Sequence, residues 1–251
     1  MSCDLILSVS NYTSTKIQSL NRIEPNKCRV LNNCLDPLLF PKRKIIYVDE
    51  KSLLKKKHGF NNNDLIIFTL TRITSHERYK GYDLVLSSLN KIAQKFPNVK
   101  YVIAGNYDMV EKERLDIIAI KNKVTDKFIL KGFVKDQDLF EYFRMADLYV
   151  MPSVKEGFGI VFIEAMYFGL PVIAGNRDGS VDALCNGNLG VLVDPLDEEE
   201  ICNAIMKILS GGMNAKPSFN SLIDNFSYET YKKNVFEILS QFLLQPNSIK
   251  C

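Results

Sequence analysis

Short, continuous apolar runs alternate with longer amphipathic stretches through the middle of this chain, and this alternation constrains the fold more than any other feature. Six apolar runs lie at residues 65–70, 101–104, 127–130, 148–151, 171–174 and 190–193. Runs of this length without polar alternation are typical of parallel strands that are covered on both faces. Between them, apolar residues recur with a period near 3.6, which predicts helices over residues 82–95, 111–123, 136–145, 159–168 and 198–209. The pattern therefore predicts an α/β fold, with a Rossmann-like, doubly wound parallel sheet of about six strands and helices on both faces.

Two outer segments do not follow this repeat. The first contains short elements and a lysine-rich end: a strand at 5–9, a helix at 12–20, a strand at 29–31, and then Lys55, Lys56 and Lys57. We expect these three lysines to be solvated, and contact with an anionic membrane is the alternative interpretation. The second segment, residues 218–245, predicts one or two closing helices.

Composition argues against several classes of function. The chain has 251 residues, 24% of them charged, and a formal net charge of +3, so binding of nucleic acid through bulk charge has little support. Its six cysteines lack CxxC spacing and it has only two histidines, which argues against a structural zinc site. The first ten residues have no basic region and only a short apolar run. They resemble neither a signal peptide nor a membrane span, and we expect a cytoplasmic protein.

The residues that follow the strands carry the candidate site, because ligands of open parallel sheets bind beyond the carboxyl ends of the strands. After the fourth run, the carboxylate residue Glu156 precedes a Gly-Phe-Gly turn that opens a helix. The N–H groups of residues 159–161 at such a helix start favour a phosphate. Glu164 lies about two helical turns further on and can face the same pocket, where its carboxylate could accept hydrogen bonds from two ribose hydroxyls.

Two basic residues supply the positive charge that a diphosphate requires. Arg72 follows the first run and Lys80 comes eight residues later; an arginine can hold two phosphate oxygens at once. Plainer interpretations stay open, in which both residues are surface charge, Glu164 is a solvated helix residue, and the glycines only shape a turn. We interpret His76, which lies between the two basic residues, as a solvated loop residue.

Several blocks of the sequence resemble a known family. Residues 156–164, Glu-Gly-Phe-Gly-Ile-Val-Phe-Ile-Glu, resemble the E-x7-E signature of retaining glycosyltransferases of the GT-B architecture, family 4. Residues 164–174 are similar to that family's EAMA-x-G-x-PV block, and residues 77–83, ERYKGYD, to its E-x-x-KG-x-D block. Residues 4–10 and 30–36 look like the end of the acceptor domain and the crossing between domains. The resemblance covers nearly the whole chain, with its blocks in the family's order.

The resemblance implies a role for each candidate residue in binding a nucleotide sugar. Glu156 would lie beside the donor sugar as the catalytic carboxylate, Arg72 and Lys80 would bind the diphosphate, and Glu164 would bind the ribose. The remaining implied contacts are with the sugar (Phe158 and Gly159), with the phosphate (the amides near Ile160 and Val161) and with the base (the backbone of Val134).

The resemblance also implies a reaction. Members of the family retain the anomeric configuration and generally need no metal; we expect no cofactor besides the donor substrate. Their route is front-face attack, in which the leaving phosphate helps to deprotonate the acceptor. Thr71 stands where the family usually has glycine, and the spacing from Arg72 to Lys80 resembles a subgroup with an ERYKG-type insertion, several members of which use GDP-mannose. We therefore expect transfer of a hexose from a GDP- or UDP-sugar, with GDP-mannose favoured, to an alcohol of a glycan or lipid acceptor.

The resemblance divides the chain unequally. Residues 1–40 would be a remnant of the acceptor domain, residues 41–217 the nucleotide-sugar-binding domain, and residues 218–251 the closing helices. The glycine-rich loop and the histidine that the acceptor domain contributes in this family have no recognisable counterpart here. We expect catalysis to need an acceptor platform from elsewhere, such as an N-terminal-domain partner chain or a second copy of this chain.

Other functions stay open or are set aside on the sequence. The main alternative is a non-catalytic module or subunit that binds a nucleotide sugar. An NAD-dependent dehydrogenase would need G-x-G-x-x-G after the first strand, where this chain has Thr71, Arg72 and Ile73. A sugar-nucleotide epimerase would lack the paired EGFG and EAM blocks.

Overall fold

The computed structural model describes residues 4–40 and 48–244, apart from four side chains (Val48, Asp49, Asp136 and Gln137). Its strands are β1 (Ile6–Ser8), β2 (Cys28–Val30), β3 (Leu65–Leu70), β4 (Val99–Ala104), β5 (Phe128–Gly132), β6 (Leu148–Met151), β7 (Val172–Gly175) and β8 (Val191–Val193). Six of them form one parallel sheet in the order β5-β4-β3-β6-β7-β8. The predicted α/β fold with a six-stranded parallel sheet is confirmed.

The helices follow the strands along the chain. They are α1 (Asn11–Asn21), α2 (Val48–Lys57), α3 (Tyr82–Lys95), α4 (Met109–Lys121), α5 (Asp136–Met145), α6 (Ile160–Tyr167), α7 (Ser180–Ala183), α8 (Glu198–Leu209), α9 (Phe219–Phe226) and α10 (Tyr228–Leu243). Among these described helices, none combines the length and the apolar content that crossing a bilayer requires.

Alternate residues of the strands face two separate hydrophobic layers, as a doubly wound sheet requires. On β3, Ile66 and Phe68 belong to the layer that contains α5, α6 and α9, whereas Ile67 belongs to the layer with α3, α4 and α8. All three side chains are fully buried. The core therefore lies on both faces of the sheet, and the apolar runs of the sequence are continuous for this reason.

The strand order reverses beside β3. The chain runs from β3 outward through β4 to β5 and then returns to place β6 on the other side of β3. The loops that follow β3 and β6 therefore lead to helices on opposite faces of the sheet, and at such a point of the carboxyl edge open parallel sheets have their ligand-binding crevice.

The two outer segments form smaller units. Strands β1 and β2 pair in parallel as a separate two-stranded sheet, next to α1. At the other end of the described chain, α9 and α10 are the predicted closing helices, and the Leu35 N–H donates to the Phe226 carbonyl across the two segments. The predicted boundary between residues 40 and 41 borders residues 41–47, which lie outside the described residues, and the last predicted segment is described only to residue 244. These domain boundaries stay predictions.

One expectation about the lysine-rich stretch is wrong. Lys55 is not solvated but 5% exposed, because its Nζ reaches the residues that precede β3 and β6, where it donates to the Asp64 carbonyl at 2.6 Å and pairs with Asp147. Burial lowers the pKa of Lys55 below its ordinary value. Lys57 does lie at the surface, where it pairs with Glu141.

Candidate functional site

The loops after β3 and β6 touch each other at the point where the strand order reverses. The Val154 N–H donates to the Tyr79 carbonyl at 2.9 Å, which ties the β6 loop to the loop that carries Lys80. Gly81 has a φ of +74°, and a Cβ at this position would overlap the Pro152 carbonyl. Glycine is therefore needed here for both the backbone conformation and the close approach.

Lys80 and Glu156 meet in this crevice, as the sequence predicts for two residues of one pocket. Lys80 Nζ lies 2.5 Å from Glu156 Oε2, and the two side chains are only 13% and 17% exposed. The ammonium group also lies 5.4 Å from the centroid of the Tyr79 ring. A lysine has three donors, so Lys80 can bind a phosphate oxygen while it stays close to Glu156.

Glu164 lies on α6, one helical turn beyond Ile160. It is half-buried. Burial raises the pKa of Tyr149 well above its ordinary value, and the negative charges of Glu156 and Glu164 act in the same direction. The Tyr149 hydroxyl donates to the carbonyl of Leu70, the last residue of β3, at 3.1 Å. The charges of both carboxylates therefore act on a hydroxyl that is bonded to the end of β3.

Arg72 lies at the same edge of the sheet but pairs with another carboxylate than Lys80 does. Its side chain is 75% exposed and its Nη2 lies 2.7 Å from Oε1 of Glu77, not beside Glu156. Glu77 also accepts hydrogen bonds from Thr74 at 3.2 Å and from Tyr79 at 3.3 Å. Arg72 is therefore held near the carboxyl end of β3 by Glu77, a residue of its own loop.

The start of α6 has the backbone form that the sequence predicts. Gly159 precedes the helix with a φ of +85°, and no described side chain caps it. A Cβ at Gly159 would overlap the Phe162 ring and crowd Glu156, so the turn needs glycine at this position. Among the described residues no side chain competes for the helix start, where Ile160 is exposed and Val161 is half-buried, which suits an incoming anion.

The side chains of two other predicted residues, Phe158 and Val134, pack into the hydrophobic core. The Phe158 side chain is 2% exposed and packs against the Phe226 ring at 5.7 Å, so only its backbone can frame a sugar. Val134 follows β5, the edge strand, and is half-buried against the hydrophobic layer of α5 and α6. Its contact with a base stays a prediction. His76 remains a loop residue with no role assigned by its contacts.

The sequence did not point to several residues that shape this site. Asp178, three residues beyond β7, is 2% exposed and accepts hydrogen bonds from the loop that carries Glu156. The Ser10 hydroxyl, at the start of α1, donates to the Gly157 carbonyl at 2.6 Å. Tyr149 lies inside β6, where an aromatic residue is typical of a buried strand and does not indicate a hydrogen bond to β3. Asp178 could have been found by following every strand a few residues further.

Comparison with known proteins finds a family model and several similar proteins. The family model "Glycosyl transferases group 1" matches residues 50–228. A mannosylfructose-phosphate synthase of Agrobacterium fabrum is 30% identical over 163 residues, which are 62% of this chain and 35% of that protein. A GDP-mannose-dependent alpha-(1-6)-phosphatidylinositol monomannoside mannosyltransferase of Mycolicibacterium smegmatis is 24% identical over 203 residues, which are 76% of this chain and 52% of that protein.

A solved structure shares the fold. The crystal structure of HepE from Anabaena in complex with UDP and glucose matches with a TM-score of 0.80 and 21% identity, over 95% of this chain and 64% of that one. The chain spans about half or less of the length of the Agrobacterium and Mycolicibacterium relatives.

Proposed function

The chain belongs to the glycosyl transferases group 1 family, and on this premise we propose that it is the donor-binding part of a retaining hexosyltransferase. The donor is a GDP- or UDP-sugar, with GDP-mannose favoured, and the acceptor is an alcohol of a glycan or lipid. The observation that carries this proposal is the contact between Lys80 and Glu156 where the strand order reverses.

Each part of the donor has a counterpart in the crevice. Lys80 and Arg72 bind the diphosphate, together with the backbone amides at the start of α6. Glu164 accepts hydrogen bonds from the ribose hydroxyls. Glu156 lies next to Lys80, and therefore beside the phosphate that carries the sugar, where its carboxylate accepts hydrogen bonds from sugar hydroxyls.

The proposed reaction exchanges one bond for another at the anomeric carbon. The bond from this carbon to the diphosphate oxygen breaks, and the acceptor hydroxyl oxygen bonds the carbon on the same face. The hydroxyl proton passes to an oxygen of the departing diphosphate. Lys80 and Arg72 stabilise the negative charge that develops there, which is the kind of preorganised electrostatic help that contributes most to many enzymes.

The preference for GDP-mannose has two supports. The ERYKG run at residues 77–81 resembles a subgroup in which several members use this donor, and the Mycolicibacterium relative is named as GDP-mannose-dependent. The Anabaena structure holds UDP and glucose, so UDP-glucose is the second donor that we propose to test.

The chain covers only part of its relatives, and this observation favours one alternative. In that alternative, the chain binds the donor without catalysing transfer, as a module or subunit that needs an acceptor-domain partner. Turnover separates the two functions, because donor binding with neither transfer nor slow hydrolysis supports the module.

The proposal is tested by titrating the chain with GDP-mannose, GDP, UDP-glucose and UDP. We expect binding of at least one nucleotide sugar below millimolar concentration, and tighter binding of that sugar than of its bare nucleotide. Glu156→Ala should remove most of this difference while it leaves the affinity for the nucleotide within about threefold, because the lost hydrogen bonds go to the sugar. Lack of binding of all four compounds at millimolar concentration would contradict the proposal.

A further inference from the structure

The loop that carries Glu156 is held by the neighbouring strand's loop, at two consecutive residues. The Glu156 N–H donates to Asp178 Oδ2 at 2.6 Å, and the Gly179 N–H donates to the Glu156 carbonyl at 2.8 Å. Both polar backbone atoms of Glu156 are therefore fixed by residues 178 and 179.

Asp178 is suited to this task by its burial and by the nature of its partners. Its side chain is 2% exposed, and its partners are three donors: the hydroxyl of Ser153, the N–H of Glu156 and the N–H of Ser180 at 2.9 Å. A carboxylate accepts at both oxygens, so it satisfies all three. An asparagine of the same shape would direct an NH2 group at one set of these donors.

The β7 loop and the Glu156 loop approach each other closely at Gly179. A Cβ at Gly179 would overlap the Gly157 carbonyl, so the β7 loop lies directly against the Gly157–Gly159 turn. Ser153, the other partner on the same carboxylate oxygen, is fully buried at the start of the β6 loop. The β6 loop is thus attached to Asp178 both before Glu156 and at Glu156 itself.

We propose that Asp178 is a positioning residue for sugar recognition, which acts by fixing the backbone of Glu156 so that its carboxylate meets the sugar hydroxyls of the donor. This rests on the proposed function, because it takes the role of Glu156 from there. Asp178 itself lies beneath the loop and touches neither the sugar nor the diphosphate. Its effect is therefore on the discrimination between a nucleotide sugar and the bare nucleotide, not on nucleotide binding as such.

The first test is the ratio of the two affinities, measured by titration with GDP and GDP-mannose and with UDP and UDP-glucose. Asp178→Asn should reduce the preference for the sugar form by about fivefold, the effect of losing one well-placed hydrogen bond, with nucleotide affinity nearly unchanged. In a Glu156→Ala background, Asp178→Asn should reduce it no further, because the two residues act through the same contact.

A matched control is Asp194→Asn. Asp194 is also an aspartate that follows a strand, and it accepts from the Leu196 N–H at 3.0 Å and pairs with Arg177. Among the described residues, its side-chain partners are Leu196 and Arg177 and none belongs to the Glu156 loop, so its change should leave the ratio as it is in the wild type. An unchanged ratio in Asp178→Asn, an equal loss for sugar and nucleotide, or independent effects of Asp178→Asn and Glu156→Ala would overturn the proposal.

The second test is hydrogen exchange of the Glu156 amide without nucleotide, which does not depend on the proposed function. We expect slow exchange in the wild type and exchange faster by about tenfold in Asp178→Asn, but not in Asp194→Asn. If Asp178→Asn does not fold, Ser153→Ala, which removes one donor from the same oxygen, should shift both readouts in the same direction. Unchanged exchange overturns the positioning of Glu156, whereas failure of the wild type to bind any nucleotide overturns the proposed function and with it the role in sugar recognition.

Discussion

Lys80 and Glu156 form an ion pair whose two side chains are largely shielded from water. Such a pair holds both groups in place, and breaking it by removing one partner leaves an uncompensated charge. In the proposed function, the same pair places the cation for the diphosphate beside the carboxylate for the sugar. The contact therefore accounts for how two residues 76 positions apart define one end of the donor site.

Removal of the Lys80 charge should weaken nucleotide binding. Lys80→Met keeps the aliphatic stem but loses the ammonium group, so we expect the dissociation constant for GDP or UDP to rise about 10- to 100-fold, the effect of losing a charged hydrogen bond. Isothermal titration calorimetry measures this change. Lys91→Met is the control, because Lys91 forms an exposed ion pair with Glu199 and should change neither binding nor stability measurably. Equal nucleotide affinity in the wild type and Lys80→Met would remove Lys80 from the site.

At the residue scale, the sequence predicted that Lys80 and Glu156 lie together but not how the site residues are held. The position of Glu156, Lys80 and Glu164 at one edge follows from the rule that ligands bind beyond the carboxyl ends of strands. The pairing of Arg72 with Glu77, the burial of the Phe158 ring against α9 and the hydrogen bonds of Asp178 to the Glu156 loop depend on how the folded segments meet. Tertiary packing alone decides these features.

At the element scale, α4 anchors the loop that carries Lys80. Glu111, on the first turn of α4, is fully buried and accepts hydrogen bonds from Arg78 of this loop at 2.9 Å, from Tyr82 at 3.0 Å and from Arg114 at 2.9 Å. Burial works to raise the pKa of Glu111, but these hydrogen bonds outweigh it and hold the pKa below its ordinary value. The ionised carboxylate is thus the form that the fold stabilises.

Glu111→Gln should therefore destabilise the protein in a pH-dependent way. At neutral pH we expect a loss of about 3 kcal/mol in the free energy of unfolding, the size typical of breaking a buried ion pair. Because the pKa is lower in the folded state, the contribution is complete above the unfolded pKa, about 4.3, and is lost as the pH falls through the folded pKa. Urea denaturation of the wild type and Glu111→Gln should therefore show a gap that is constant near neutral pH and narrows on acidification.

Glu113→Gln is the control for this prediction, since Glu113 lies exposed on the same helix and should change stability by less than about 0.5 kcal/mol. A gap between the wild type and Glu111→Gln that widens on acidification would contradict the account.

The elements themselves were largely predictable. Five elements have the predicted bounds: strands β3 and β6 and helices α3, α5 and α8. The strands are continuous apolar runs, and the apolar period of the helices is uninterrupted. Helix α4 begins two residues before the predicted start, at Met109. There the Asp108 side chain accepts from the Glu111 N–H at 2.7 Å and caps the helix, so the capping residue and not the apolar pattern sets the start.

At the scale of the whole molecule, the described chain joins a large sheet with a small two-stranded one. The Asn11 side chain donates to Asp182 at 2.6 Å, and the Ser10 hydroxyl donates to the Gly157 carbonyl. The small unit therefore lies against the loop that carries Glu156. The carboxyl edge of the large sheet is therefore shaped partly by residues far away in sequence. The sequence predicted the large sheet and the short strands of the first segment, but the pairing of β1 with β2 and the contact at Gly157 required the structure.

The central claim is that a nucleotide sugar binds in the crevice between the loops that follow β3 and β6. A crystal structure of the chain with GDP-mannose or UDP-glucose tests it most directly. We expect the diphosphate to lie at the start of α6, within hydrogen-bond distance of Lys80. The sugar should lie beside Glu156 and the ribose beside Glu164. A nucleotide sugar bound at the amino-terminal edge of the sheet, or away from Lys80 and Glu156, would contradict it.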